Sequence, residues 1–195
     1  MNLEALILIP MAGGALACLA GLRSAVWARW VSLVSLAAAL GVALSWWGAA
    51  PLTGDGLPGG GRWVALSARP WIPEFGISLF LGIDGLSLLL VLLTLFLGVL
   101  AVAVSWREIG ERVGFFHFNL LWTITGLLGV FLSLDLFLFF FFWELMIVPM
   151  YFLIGIWGHE NRHDAAVKFF LFTQASGLLM LTAIIGLHVA YARQT

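Results

Sequence analysis

The sequence predicts an all-α membrane protein of about six transmembrane helices, with a surface loop or short β-hairpin between the second and the third. Three observations lead there. Of 195 residues, 63% are hydrophobic and only 10% are charged. Apolar runs of 18 residues or more recur, the mark of bilayer spans rather than of a soluble core. One such run, residues 136–157, is unbroken and holds a single acidic or basic side chain, Glu144.

The elements follow in order. The first span covers about residues 3–21 and opens Met1-Asn2-Leu3-Glu4, without the basic leader of a cleaved signal, so it reads as a retained helix. Arg23 and Arg29 bracket the next turn. The second span, about 30–48, ends in Trp46 and Trp47, side chains suited to the headgroup region. Residues 49–82 form the one long non-membrane segment. It begins with the turn-rich LTGDGLPGGG, and the alternation at 77–81 marks a short strand or hairpin. The third span is about 86–106, the fourth about 115–134, the fifth 136–157 and the sixth about 167–191. The chain therefore divides into helices 1 and 2 (1–48), the loop or hairpin (49–82) and helices 3 to 6 (83–195).

Six spans place both termini on one side. Arg23, Arg29, Arg107, Arg112, Arg162 and Lys168 then share one side, and Arg62, Arg69 and Arg193 the other. The positive-inside rule puts the first group in the cytoplasm. Both ends and the 49–82 loop are thus expected to face outward. A net charge of −1 with no basic stripe gives no case for nucleic acid. The lone cysteine, Cys18, supports neither a disulfide framework nor a metal site.

Glu144 is the first candidate for function. A carboxyl near mid-membrane costs roughly 2.5–3.5 kcal/mol on insertion scales, so it marks a functional site unless a hydrogen bond retains it for packing alone. Pro149 crowds the carbonyl of Leu145, four residues back, and removes that carbonyl's usual donor. Tyr151, seven residues after Glu144, lies on the same helical face. Together they outline a polar pocket, with Pro149 alone read as a tolerated kink. Lys168 lies just inside the sixth span, with an expected depth difference from Glu144 of roughly 15 Å at 1.5 Å per residue. That is too far for an ion pair and leaves Glu144 without a partner in this chain. Asn119, Thr123, Gly126 and Ser133 line one face of the fourth span and read as close helix packing rather than as a water-lined path. His159, Glu160, His163 and Asp164 cluster in a loop and read as solvated rather than as a metal site. His117 and His188 read as packing near the membrane surfaces.

Three blocks carry a resemblance: LGIDGLSLLLVLLTLFLG (81–98), FFWELMIVPMYFLIGIWG (141–158) and AAVKFFLFTQASGLLML (165–181). They resemble the subunit M family of respiratory complex I (chain M of NADH-quinone oxidoreductase, with mitochondrial NADH dehydrogenase subunit 4 as counterpart). The wider group includes Mrp-type cation/proton antiporter subunits and membrane subunits of energy-converting hydrogenases. The resemblance implies that Glu144 is the key proton-translocation residue and that Lys168 matches a family lysine at the start of the sixth helix. A carboxyl in apolar surroundings holds its proton, and a cation brought close releases it. In the family that cation is a lysine of the seventh helix. Members have about fourteen helices in two inverted repeats, so six helices imply an N-terminal part, a truncated product or a split gene, with the first repeat incomplete.

The implied function is proton translocation in the membrane arm of NADH:quinone oxidoreductase, coupled to quinone reduction. This chain shows no dinucleotide fingerprint and too few cysteines for iron–sulfur ligation. No cofactor or metal is expected in it; NADH, FMN, iron–sulfur clusters and quinone are expected in partner subunits. Its partners are expected to be other membrane-arm subunits and the lipid bilayer. It is thus an enzyme only as a subunit, and the isolated chain is not expected to pump. The competing readings are an Mrp-type antiporter or membrane-bound hydrogenase subunit, and a non-conducting structural remnant.

Overall fold

The computed structural model of the chain describes residues 3–49, 52, 62–73 and 76–193. The helices are α1 (Glu4–Gly21), α2 (Ala25–Leu44), α3 (Gly85–Glu108), α4 (Val113–Leu132), α5 (Leu136–Trp157) and α6 (Arg162–Ala192). Between α2 and α3 lies an antiparallel pair, β1 (Trp63–Ile72) and β2 (Ile77–Asp84). All six helices are long and apolar enough to cross a membrane. Residues 77–81 are extended as their alternation predicts. Their partner strand was hidden in the sequence because Arg69 and Pro70 interrupt any regular pattern. The glycine-rich stretch 53–61, like Met1 and Asn2, lies outside the described residues.

Two helices begin earlier than hydropathy predicts. Helix α2 starts at Ala25 rather than near 30, because the Ser24 hydroxyl accepts from the Val26 N–H as a cap. Arg29 is tolerated within it: its Nη2 donates to the Ile109 carbonyl at 3.0 Å and its guanidinium lies 5.7 Å from the Trp106 ring centre. Helix α6 starts at Arg162 rather than 167. Trp46 is also placed differently from expectation. It is buried in the core, while Trp47 is exposed.

The most enclosed helix is α4, with α1 on one flank and α5 on another. Small residues permit the approach. A Cβ on Gly114 would meet the Gly21 Cα at 2.9 Å and the Cys18 carbonyl at 3.0 Å. A Cβ on Gly126 would lie 2.8 Å from the Met146 Cβ and 3.1 Å from the Phe142 carbonyl, and one on Gly129 would strike the Phe142 ring. The stripe of the fourth span is therefore packing surface, as predicted. Its hydroxyls are turned to their own helix: Thr123 donates to the Asn119 carbonyl at 2.9 Å and Ser133 to Gly129 at 2.6 Å. Around this centre Leu6, Leu36, Leu81, Ile83, Leu95, Leu121 and Leu128 form one apolar core that draws on the hairpin and on α1 to α4.

The hairpin sets where two helices start. Asp84, the last residue of β2, caps α3 through a reciprocal box: its carboxylate accepts from the Ser87 N–H and hydroxyl, both at 2.7 Å, while its own N–H donates to the Ser87 hydroxyl at 2.8 Å. Asp135 caps α5 by accepting from Phe137 and Leu138, and its second oxygen accepts from Ser78 of β2 at 3.3 Å. The Leu134 N–H donates to the Phe80 carbonyl at 2.9 Å, which ties β2 to the entrance of α5.

The hydrogen bonds from Ser87, hydroxyl first and backbone second, outweigh partial burial and hold the Asp84 carboxyl below the usual aspartate range. A carboxyl lowered by folding stabilises the fold above its ordinary pKa, about 3.9, and loses that contribution as pH falls through the folded value. Replacing Asp84 by Ala should lower the stability of the detergent-solubilised chain by about 1 kcal/mol at neutral pH. The gap between parent and variant, followed by thermal unfolding, should narrow once pH drops below about 4.

Candidate functional site

Glu144 lies in the third turn of α5, and its side chain faces α6. Its Oε2 accepts from the Gln174 Nε2 at 3.0 Å. Its Oε1 is buried and accepts no hydrogen bond among the described residues. That oxygen rests against Gly177, where any Cβ would collide with it. The carboxyl is therefore clamped asymmetrically, with one oxygen held by an amide and the other in a notch that only glycine leaves open. A second close point, Gly155 against Ala166, where a Cβ on Gly155 would lie 3.4 Å from the Ala166 Cβ, brings the helices together nearer the other end.

This changes the sequence expectation that Glu144 has no partner in the chain. Gln174 is that partner, and it is neutral. It was legible as the one amide inside the sixth span, but only the helix register shows that it meets Glu144. The register also corrects the depth of Lys168. With Gln174 level with Glu144 and Lys168 six residues earlier, the axial offset is roughly 9 Å at 1.5 Å per residue, not 15 Å. The change arises because α6 begins at Arg162, so that Lys168 is more than a turn inside the helix. Lys168 is exposed, and among the described residues no ion pair joins it to Glu144.

Pro149 is buried within α5, which is helical from Leu136 to Trp157. Tyr151 shares the α6-facing side with Glu144 but does not join its pocket. Its ring packs edge-on against Phe170, 5.7 Å between centres, and lies about two turns along the helix from Glu144. Next to the site, an apolar cavity of about 330 Å³ between α4, α5 and α6 is lined by Trp143, Met146, Ile147, Met150 and Phe169, with Thr123 and Thr173 at its edge. Both threonine hydroxyls donate to carbonyls of their own helices.

The remaining candidates separate. His159, Glu160, His163 and Asp164 are exposed, the last two in the first turn of α6 and the first two before it, so the two histidines do not share a helical face. Among the described residues no group of three potential ligands could hold a metal ion. His188 is exposed. His117 contradicts the reading of surface packing: it is fully buried in α4, and neither ring nitrogen has a hydrogen-bond partner among the described residues. A histidine three residues after a helix-packing glycine points into the same contact, which is the signal that hydropathy overlooked.

The chain is similar to known membrane proteins. Residues 133–193 match the family model described as NADH:quinone oxidoreductase/Mrp antiporter, TM, a stretch that holds both Glu144 and Gln174. NADH-quinone oxidoreductase subunit M of Escherichia coli (strain K12) is 51% identical over 195 residues, which cover 96% of this chain and 38% of that protein. The chain thus spans well under half the length of this curated relative. Among solved structures, respiratory complex I from Thermus thermophilus with bound NADH superposes with a TM-score of 0.77 at 27% identity, over 97% of this chain and 36% of the other. The Mrp complex from Dietzia sp. DQ12-45-1b gives 0.76 at 25% identity, over 94% of this chain and 19% of the other.

Gln174→Leu should strip from Glu144 its only donor among the described residues and destabilise the chain by about 1–3 kcal/mol, the cost of a buried polar group left unpaired. Gly177→Ala should force the carboxyl from its notch and loosen α5 from α6. Cysteine crosslinking between positions 155 and 166 measures both, and unchanged crosslinking with unchanged unfolding would refute the clamp.

Proposed function

We infer, for a chain that is a relative of NADH-quinone oxidoreductase subunit M, that it forms part of an antiporter-like, proton-translocating subunit in the membrane arm of an NADH:quinone oxidoreductase. The observation that carries this is the state of Glu144. Among the described residues, a carboxyl inside an apolar span is tied down through one oxygen, and the other is buried with no donor. A packing carboxyl would use both oxygens. One that exchanges a proton needs one oxygen free to gain and lose it.

In this reading Gln174 orients the carboxyl and Gly177 gives the proton-bearing oxygen room. Lys168, roughly 9 Å along α6, sits on the arginine-rich side, between that surface and Glu144. Tyr151 lies about two turns along the α6-facing side from Glu144, and Pro149, buried on a different face, shapes the helix between them. The charge pattern supports the orientation. Arg29 meets Ile109 and Trp157 donates to the Glu111 carbonyl at one end of the bundle, while Glu4, the hairpin and Asp135 gather at the other. The first end is then cytoplasmic, and the N-terminus and hairpin periplasmic, in a bacterial inner membrane. The chain divides into helices 1 and 2, the 49–82 hairpin segment, and helices 3 to 6 with the start of an antiporter repeat. Redox cofactors and quinone belong to partner subunits, and the enzyme activity is that of the whole complex. The much higher identity to subunit M than to the Mrp complex favours this reading over a cation/proton antiporter.

The test is Glu144→Gln in the assembled oxidoreductase, reconstituted in proteoliposomes. The amide keeps the shape and can still bond Gln174, so the complex should assemble, but proton pumping per NADH oxidised should fall to near background. Pumping at the parental ratio would favour a structural remnant.

A further inference from the structure

A second feature lies roughly a quarter turn around α5 from Glu144. Helices α1 and α5 both pack on α4, and between them runs a groove of about 580 Å³. Ile7, Leu8 and Met11 form one wall, Phe141, Phe142 and Leu145 the other, and Trp122 of α4 the floor. The volume falls in the usual range for a small-ligand pocket, roughly 300–1,000 Å³. Its lips, Leu8 and Phe141, are exposed, so the groove opens sideways toward the region a bilayer's chains occupy. From Glu4 to Met11 it descends about 10 Å, two thirds of one leaflet of a core about 30 Å thick.

Its upper end is charged. The Arg69 Nε lies 3.3 Å from the Glu4 Oε1, which also accepts from the Ser67 hydroxyl at 2.7 Å. The two partners differ in access: the Arg69 side chain is 65% exposed and the Glu4 side chain 14%. Beside this rim the Trp71 ring packs edge-on against Phe141 at 5.5 Å, an aromatic at the level where polar and apolar lipid regions meet. The rim thus offers a guanidinium with terminal N–H groups for an anion and, within a few ångströms, a recessed carboxylate for a small cation.

We propose that this groove is a binding site for phosphatidylethanolamine, one acyl chain lying between α1 and α5, the phosphate on Arg69 and the primary ammonium on Glu4. The zwitterionic rim matches a zwitterionic headgroup charge for charge. An ammonium with three N–H donors reaches a carboxylate that is only 14% exposed. A trimethylated choline has no such donor. A phosphatidylglycerol satisfies Arg69 and leaves Glu4 facing an anion.

The test is native mass spectrometry of the detergent-purified chain, titrated with phosphatidylethanolamine, phosphatidylcholine and phosphatidylglycerol of identical acyl chains. One ethanolamine lipid should remain bound several-fold more than either competitor. Glu4→Gln should move the preference toward phosphatidylglycerol, and Leu8→Trp should abolish retention by filling the groove. The exchange Glu4→Arg with Arg69→Glu keeps the ion pair but puts the carboxylate at the exposed position, so it should still retain a lipid while losing the discrimination against phosphatidylcholine, which guards against a variant that merely unfolds. Equal retention of the three lipids, or a preference unmoved by Glu4→Gln and Leu8→Trp, overturns the proposal.

Discussion

The close approach of α5 to α4 at Gly126 and Gly129 is the constraint on which the rest depends. With the Phe142 ring set over Gly129 and Met146 against Gly126, the rotation of α5 is settled. That rotation turns Glu144 away from the core and toward α6. A larger residue at either glycine would push α5 outward or roll it, since neither contact leaves space for a Cβ. Within a bilayer no hydrophobic force gathers helices, and small residues that allow dense contact do that work instead. The same device joins α1 to α4 through Gly21 and Gly114.

The hairpin completes the positioning from the end. The Gly82-Ile83-Asp84-Gly85 sequence has a structural role. Gly82 is flanked by Leu134, Leu66 and Trp63, Ile83 is fully buried, and Asp84 caps α3. Asp135 does the corresponding task for α5 while accepting from β2. A shift of the hairpin would therefore move the start of α5 and, through it, the depth of Glu144. The site is a product of this framework more than of its own few polar atoms.

Much of this was legible in the residues. Hydropathy gives the six spans because backbone groups in lipid must satisfy one another within helices. Glu144 stands out because nothing near it in the chain is charged, and the small-residue face of α4 reads correctly as packing. What stayed hidden is what depends on register between helices. Gln174 is one amide in an apolar run, and nothing local pairs it with a residue thirty positions earlier. His117 looked peripheral because it is near a helix end, yet its face is the one that meets α1 and α2. Strand β1 was invisible because Arg69 and Pro70 break the alternation that marks a half-buried strand. Arg29 shortened the second span on paper, whereas the Ile109 carbonyl and the Trp106 ring accept it inside the helix.

The role proposed for Glu144 requires a carboxyl held at one oxygen and open to a proton at the other. Infrared difference spectroscopy of the chain in bilayers, recorded across a pH titration, addresses this directly. A carboxyl signal that titrates, vanishes in Glu144→Gln and changes frequency in Gln174→Leu is the predicted result. A spectrum with no titrating carboxyl that Glu144→Gln removes would contradict it, and Glu144 would then be a packing residue.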